Sequence, residues 1–148
     1  MPDKYLLDTN IVSLLDRRRR RDAATVVEWL ERNGASLFLS VMTITELDAG
    51  TLKLRREGKT ARADEIAALV SAILADFGDR ILVLDVETAR HVARLAAANY
   101  RRPIALPDLI IAATAVRHGL IVLTRNMREF GRLAVPACDP LVELPADT

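Results

Sequence analysis

Four short apolar runs, each about the length of a buried strand, punctuate this chain, and longer segments with helical spacing lie between them. They are Tyr5-Leu6-Leu7, Leu37-Phe38-Leu39-Ser40-Val41, Ile81-Leu82-Val83-Leu84 and Leu120-Ile121-Val122-Leu123. Strands that are apolar almost throughout belong inside a sheet covered on both faces, and such sheets are parallel, with helices as the crossovers. The fold class is therefore α/β. A composition of 51% hydrophobic and only 4% aromatic residues suits aliphatic helix-on-sheet layers better than an aromatic β-sandwich. The 148 residues read as one domain, 1–148, large enough to bury roughly two-thirds of its unfolded surface. No internal repeat, low-complexity linker or second domain is visible.

The intervening segments carry their own punctuation. Ile11, Val12, Leu14 and Leu15 suggest a short helix that runs into Asp16 and five consecutive arginines, 17–21. Such a run repels itself and cannot be core. It reads as a solvated loop or, with Arg18, Arg19 and Arg20 at its centre, as a clamp for RNA phosphates. Asp22 is placed to N-cap a helix over 23–32 that packs Trp29 and is closed by Asn33-Gly34. A helix follows the second strand at once, and Gly50 within it, at roughly 1 kcal/mol relative to alanine, predicts a close approach to the backbone. Ile66, Leu69, Val70, Ile73, Leu74 and Phe77 share one helical face over 63–77, so a helical hairpin ending at Gly78 separates the second and third strands. Asp85 is a candidate N-cap for an Ala-rich helix reaching about residue 100. Pro107-Asp108 opens the next helix and His118-Gly119 closes it. His118 and His91 read as helix-end and helix-surface residues rather than metal ligands. Residues 127–133 form a short helix or turn, and Pro140-Leu141-Val142 is a candidate edge strand.

Several classes are disfavoured. A net charge of +1 means that attraction to nucleic acid must come from a local patch. The lone Cys138 makes neither an internal disulfide nor a cysteine-based zinc site, and Met1-Pro2-Asp3-Lys4 lacks a signal-peptide pattern, so a cytoplasmic protein is expected. Charge breaks every apolar stretch well before the ~18 residues of a membrane span.

What remains is a set of acids. Asp8 ends the first strand, Glu46 lies in the opening of the helix after the second, and Asp108 lies in the first turn of the helix that feeds the fourth strand. That helix runs antiparallel to its strand, so Asp108 returns to the edge where Thr124 and Asn126 follow the fourth strand. Singly, Glu46 has capping-box spacing from Thr43, and Asp108 is a favourable charge at a helix N-terminus; Asp8 has no evident capping role. Together the three acids meet at the end of the sheet where parallel folds gather chemistry. Two carboxylates 4 Å apart repel by about 4 kcal/mol at an effective dielectric of 20, so such a cluster needs a cation or shared protons. Oxygen ligands without paired His or Cys suit Mg²⁺ or Mn²⁺, and an ion held this way activates water against a phosphodiester.

The same residues carry a resemblance. Leu6-Leu7-Asp8-Thr9-Asn10, Thr45-Glu46-Leu47-Asp48-Ala49-Gly50, Pro107-Asp108-Leu109-Ile110-Ile111-Ala112-Ala113 and Leu123-Thr124-Arg125-Asn126 with Phe130 resemble the motifs of PIN-domain ribonucleases, and most of all VapC or FitB-type toxins of type II toxin–antitoxin modules. The resemblance implies a three-layer α/β/α sandwich on a parallel sheet of about five strands and a Mg²⁺- or Mn²⁺-dependent endoribonuclease. Asp8, Glu46 and Asp108 would hold metal, with Thr9, Asn10 and Thr124 as polar support and Arg125 near the RNA. Family members commonly add a fourth acid near the Thr-x-Asn segment, where this chain has Asn126 and Glu129. The resemblance also implies a homodimer silenced by an antitoxin. An aspartyl phosphotransferase wants a second Asp where Asn10 stands, and a receiver domain wants an acid pair after its first strand. The remaining alternative is a catalytically silent RNA-binding or scaffold version of the fold.

Overall fold

Alternate residues of a strand face opposite sides of its sheet, and here both sides are apolar. Tyr5, Leu7, Leu37, Leu39 and Leu123 enter one core, whereas Leu6 and Val122, with Phe38 packed alongside, enter the other. The fold, a computed structural model describing residues 2–148, is built around that division. Its strands are β1 (Tyr5–Leu7), β2 (Leu37–Ser40), β3 (Ile81–Leu82), β4 (Ile121–Leu123) and β5 (Ala137–Cys138). They form one five-stranded sheet in the order β3-β2-β1-β4-β5, and every pairing is parallel.

The first core is covered by α1 (Thr9–Val12), α2 (Ala24–Arg32), α3 (Val41–Arg56) and α4 (Thr60–Phe77); the second by α5 (Val86–Ala98), α6 (Leu106–His118) and α7 (Met127–Arg132). This is the expected three-layer arrangement, with α3 and α4 as the hairpin between β2 and β3. Trp29 is buried and meets Tyr5 edge-to-face at 5.3 Å between ring centroids. Asp85 caps α5 by accepting from the Thr88 amide at 2.8 Å. Gly119, at φ 65° and ψ 39°, ends α6 in the left-handed conformation that turns the chain into β4.

Local expectations differ in several places. Asp22 does not cap α2: a 3-10 turn, Arg20–Ala23, precedes the helix, and the capping position falls to Ala23 without a side-chain bond. Helix α4 begins at Thr60, three residues before its apolar face starts, and α5 stops at Ala98. Gly50 is exposed with open space around it, so no packing contact explains it. Strand β3 is cut to two residues because Val83 and Leu84 leave the sheet for solvent. The last strand is Ala137–Cys138 rather than the Pro140 segment, because Pro136 and Cys138 supply the carbonyls that receive the amides of Val122 and Thr124.

The arginine run is solvent-exposed, as expected, and two of its members are tied to acids. Asp16 is buried and receives both terminal nitrogens of the Arg62 guanidinium from α4, while Arg62 also reaches Glu65 at 2.8 Å. Glu65 in turn takes a two-pronged bond from Arg18 at 3.0 Å, and Arg20 pairs with Glu31. The Arg62 hydrogen bonds hold the Asp16 carboxyl below its ordinary value of 3.8. Its stabilising contribution is therefore complete above about pH 4 and lost as pH falls through the folded-state value. Asp16→Asn is expected to lower stability to urea by about 2 kcal/mol at pH 7, with the gap from the unaltered protein closing in acid. An unchanged midpoint at pH 7 would remove this cluster from the account.

Candidate active site

Outward from β1 the sheet runs to β2 and β3 on one side and to β4 and β5 on the other, so its topological switch point lies between β1 and β4. Asp8 and Thr124 are the first residues beyond those two strands. The Asp8 amide donates to the Leu123 carbonyl at 2.9 Å, which fixes the two strand ends side by side.

Asp8 is only 5% exposed, and both of its carboxylate oxygens are engaged. The Thr9 amide donates to Oδ1 at 2.7 Å and the Thr124 hydroxyl to Oδ2 at 2.7 Å. Asp8 therefore does have a capping role, at the start of α1, contrary to the sequence expectation. A helix of four residues leaves too little periodicity to reveal its own cap. The second oxygen, turned to Thr124, goes beyond what capping requires.

Thr9 carries the site across to α3. Its hydroxyl donates to Glu46 Oε1 at 2.6 Å and lies 3.0 Å from the hydroxyl of Thr43. Because Thr9 has one hydroxyl proton and gives it to Glu46, Thr43 is the donor in the second contact. Glu46 and Thr43 are thus not a capping box. The N-cap of α3 is Ser40, whose hydroxyl accepts from the Met42 amide at 3.0 Å, because β2 ends one residue earlier than its apolar run suggests. Thr43 is wholly buried, and its role in orienting Thr9 is the part of the site that sequence reading missed. The Thr-x-x-Glu spacing is the signal for it, and it marks two side chains that meet through Thr9 rather than a helix cap.

Asp108 joins through Asn126. The Asn126 amide donates to Thr124 Oγ1 at 2.8 Å, and its side-chain nitrogen donates to Asp108 Oδ2 at 3.2 Å. A continuous polar path thus runs Glu46, Thr9, Asp8, Thr124, Asn126, Asp108, drawing on α1, α3, α6 and the turn after β4. Asn10 braces that turn by accepting the Arg125 amide at 3.2 Å, leaving the Arg125 side chain exposed at the rim. Glu129 pairs with Arg132 at 3.0 Å and stands close enough for its charge to act on Asp108. Of the arginine run, Arg18 and Arg20 spend their guanidinium groups on Glu65 and Glu31, and Arg19 is exposed.

The electrostatics match the inventory. Burial raises the Asp108 carboxyl to about 6, helped by the negative charges of Asp8, Glu46 and Glu129 and opposed by the Asn126 hydrogen bond. Burial also raises Asp8, against the bonds from Thr124 and Thr9. Among the described residues no Lys, Arg or His forms a salt bridge with Asp8, Glu46 or Asp108. Among them, too, no three His, Cys, Asp or Glu side chains close on one point as a ready-made metal cage. The acids instead stand on three elements, at the N-cap of α1, in α3 and in the first turn of α6. An all-oxygen donor set in which Asp8 and Asp108 are raised, and with which no cationic side chain pairs among the described residues, fits a hard divalent ion.

Comparison with known proteins gives the same direction. The PIN domain family matches residues 5–136. The chain is 34% identical over 138 residues to Toxin FitB of Neisseria gonorrhoeae, covering 91% of this chain and 96% of that protein. It is 31% identical over 134 residues to Ribonuclease VapC2 of Haemophilus influenzae, covering 88% and 92%. The crystal structure of DNA-bound VapBC from Salmonella typhimurium superposes with a TM-score of 0.73 at 25% identity, covering 93% of this chain and 98% of that one.

Two consequences are measurable. A carboxyl whose pKa is raised on folding contributes stability below its unfolded value and loses it as pH rises through about 6, so metal-free protein should weaken between pH 4 and 7 on the Asp108 account. Asp108→Asn is expected to flatten that decline, gaining on the order of 1 kcal/mol at pH 7 after allowance for its partial exposure, as read by urea unfolding in EDTA. An unchanged slope would contradict the assigned electrostatics. Thr43→Val should cost about 1 kcal/mol in folding stability through the lost hydroxyl bond, with Thr43→Ser close to the parent; equal stability of the valine form would show that the hydroxyl is idle.

Proposed function

The chain belongs to the PIN domain family, and from that premise we propose that it is a metal-dependent endoribonuclease, the toxin of a toxin–antitoxin pair, acting as a single cytoplasmic domain and a homodimer. The observation that carries the chemistry is the polar path that strings Asp8, Glu46 and Asp108 along the switch-point crevice without a cationic side chain among them. The names of the relatives, a ribonuclease and a toxin, supply the substrate class and the biological setting. The VapBC assembly among the structural neighbours supports a partner antitoxin.

Asp8, Glu46 and Asp108 would hold Mg²⁺ or Mn²⁺. The ion, when bound, would polarise water and the scissile phosphate for hydrolysis of the phosphodiester bond. The protein's own work is positioning. Thr9 and Thr124 fix both oxygens of Asp8, Thr9 fixes one oxygen of Glu46, and Asn126 fixes one oxygen of Asp108, so little side-chain freedom remains to be lost when the charge arrives. We assign the position of the fourth acid to Glu129, because its charge acts on Asp108, whereas Asn126 contributes an amide that holds Asp108 in place. Arg125 stands at the rim as a phosphate contact.

A silent scaffold is the weaker reading. Helix capping accounts for one oxygen of Asp8, but not for its burial, its bond to Thr124 or the unpaired acids on either side. The test is cleavage of structured RNA with Mg²⁺ or Mn²⁺. Asp8→Ala and Asp108→Ala should each lose at least about a hundredfold in rate while keeping the far-ultraviolet circular dichroism of the parent. Full activity in either variant, or full activity of the parent in EDTA, would overturn the proposal.

A further inference from the structure

Helices α5 and α6 flank a polar cleft of about 370 Å³, lined on α5 by Glu87, Arg90, His91 and Arg94 and on α6 by Val116 and Arg117, among others. Its charges are unevenly matched. Arg117 is held by Glu87 at 3.0 Å and Asp85 at 3.6 Å, whereas Arg90 and Arg94 form no salt bridge among the described residues. Arg94 instead approaches the His91 ring at 3.5 Å. Two like charges one helical turn apart destabilise a helix by roughly 0.2–0.5 kcal/mol, and no acid offsets them here as Asp64 offsets Arg55 and Glu129 offsets Arg132. Here the cations face a cleft with an apolar wall, and Val116 remains 49% exposed in it.

We infer that this cleft is a second RNA contact, in which Arg90 and Arg94 take successive phosphates of a single strand and Val116 takes the face of a ribose or base. The inference rests on the ribonuclease reading for its choice of polyanion. It is distinct from the acid cluster. Asp108 lies in the first turn of α6 and Arg117 in its last, nine positions and so about 14 Å apart along the axis, which a strand engaged at Asp108 spans in a few nucleotides. Arginine suits the task because its fork binds phosphate oxygens in pairs. The contact would carry affinity without reading sequence.

The experiment uses the full chain carrying Asp8→Asn, which binds without cutting, and a fluorescein-labelled single-stranded RNA of ~20 nucleotides followed by anisotropy. Adding Arg90→Ser with Arg94→Ser should weaken binding about five- to tenfold near 100 mM salt and make the log-affinity against log-salt slope shallower by about 1.4, two phosphates at ~0.7 each. Arg90→Lys with Arg94→Lys should restore most of the slope. Unchanged affinity and slope in the serine form would overturn the inference. So would a change of mass in solution with RNA affinity intact, which would make the cleft a contact between copies of this chain. Absence of cleavage by the unaltered chain, with the serine effect on binding present, would sink the ribonuclease reading and leave the RNA contact standing.

Discussion

A carboxylate buried at the junction of the two central strands is the constraint on which the rest of this molecule turns. Asp8 sits where β1 and β4 end together, at 5% exposure, and an ionised group in that position is tolerable only because an amide and a hydroxyl each engage one of its oxygens. The two donors come from different parts of the chain. Thr9 follows Asp8 directly, whereas Thr124 lies 116 residues away and arrives only when β4 pairs with β1. The site is thus assembled by the same pairing that closes the sheet. Thr9 and Asn126 extend the arrangement to α3 and α6, so four elements are fixed relative to one another by polar contacts rather than by the apolar cores alone.

Such an arrangement works against stability. Asp108 is raised to about 6 by burial and by three neighbouring acids, and the hydrogen bonds that orient the cluster do not neutralise it. Groups whose environments disfavour their charged form collect at functional sites because function requires the charge that folding would discard. The contrast with Asp16 is instructive. That acid is as buried as Asp8, but Arg62 pairs with it, its pKa falls, and it reads as a structural tie between α4 and the loop after α1.

The layers of the fold were legible because they depend on composition and period. Apolar runs too short for helices, separated by segments of helical spacing, allow little besides a covered parallel sheet, and Gly119 announces the turn into β4. The acids were legible for the same reason, since strand ends and helix starts fix their edge. Capping was not. Asp8 caps a helix too short to show periodicity, Asp22 caps nothing, and the Thr43–Glu46 spacing marks a pair tied through Thr9 rather than a capping box. Each error has one cause: a hydroxyl or carboxylate has several partners within reach, and tertiary pairing selects among them. The ends of β2 and β3 fall one and two residues short of their apolar runs because an apolar residue continues a run whether it opens the next helix, as Val41 opens α3, or turns to solvent, as Val83 and Leu84 do.

The central claim is that Asp8, Glu46 and Asp108 jointly hold one divalent ion in the switch-point crevice. Anomalous diffraction at the manganese edge, from crystals of the unaltered protein grown with Mn²⁺, tests it most directly. The account predicts a peak bounded by carboxylate oxygens of all three residues, with Thr9, Thr124 and Asn126 keeping their present partners. A manganese peak confined to other acids, or no peak in the crevice at saturating Mn²⁺, would contradict it.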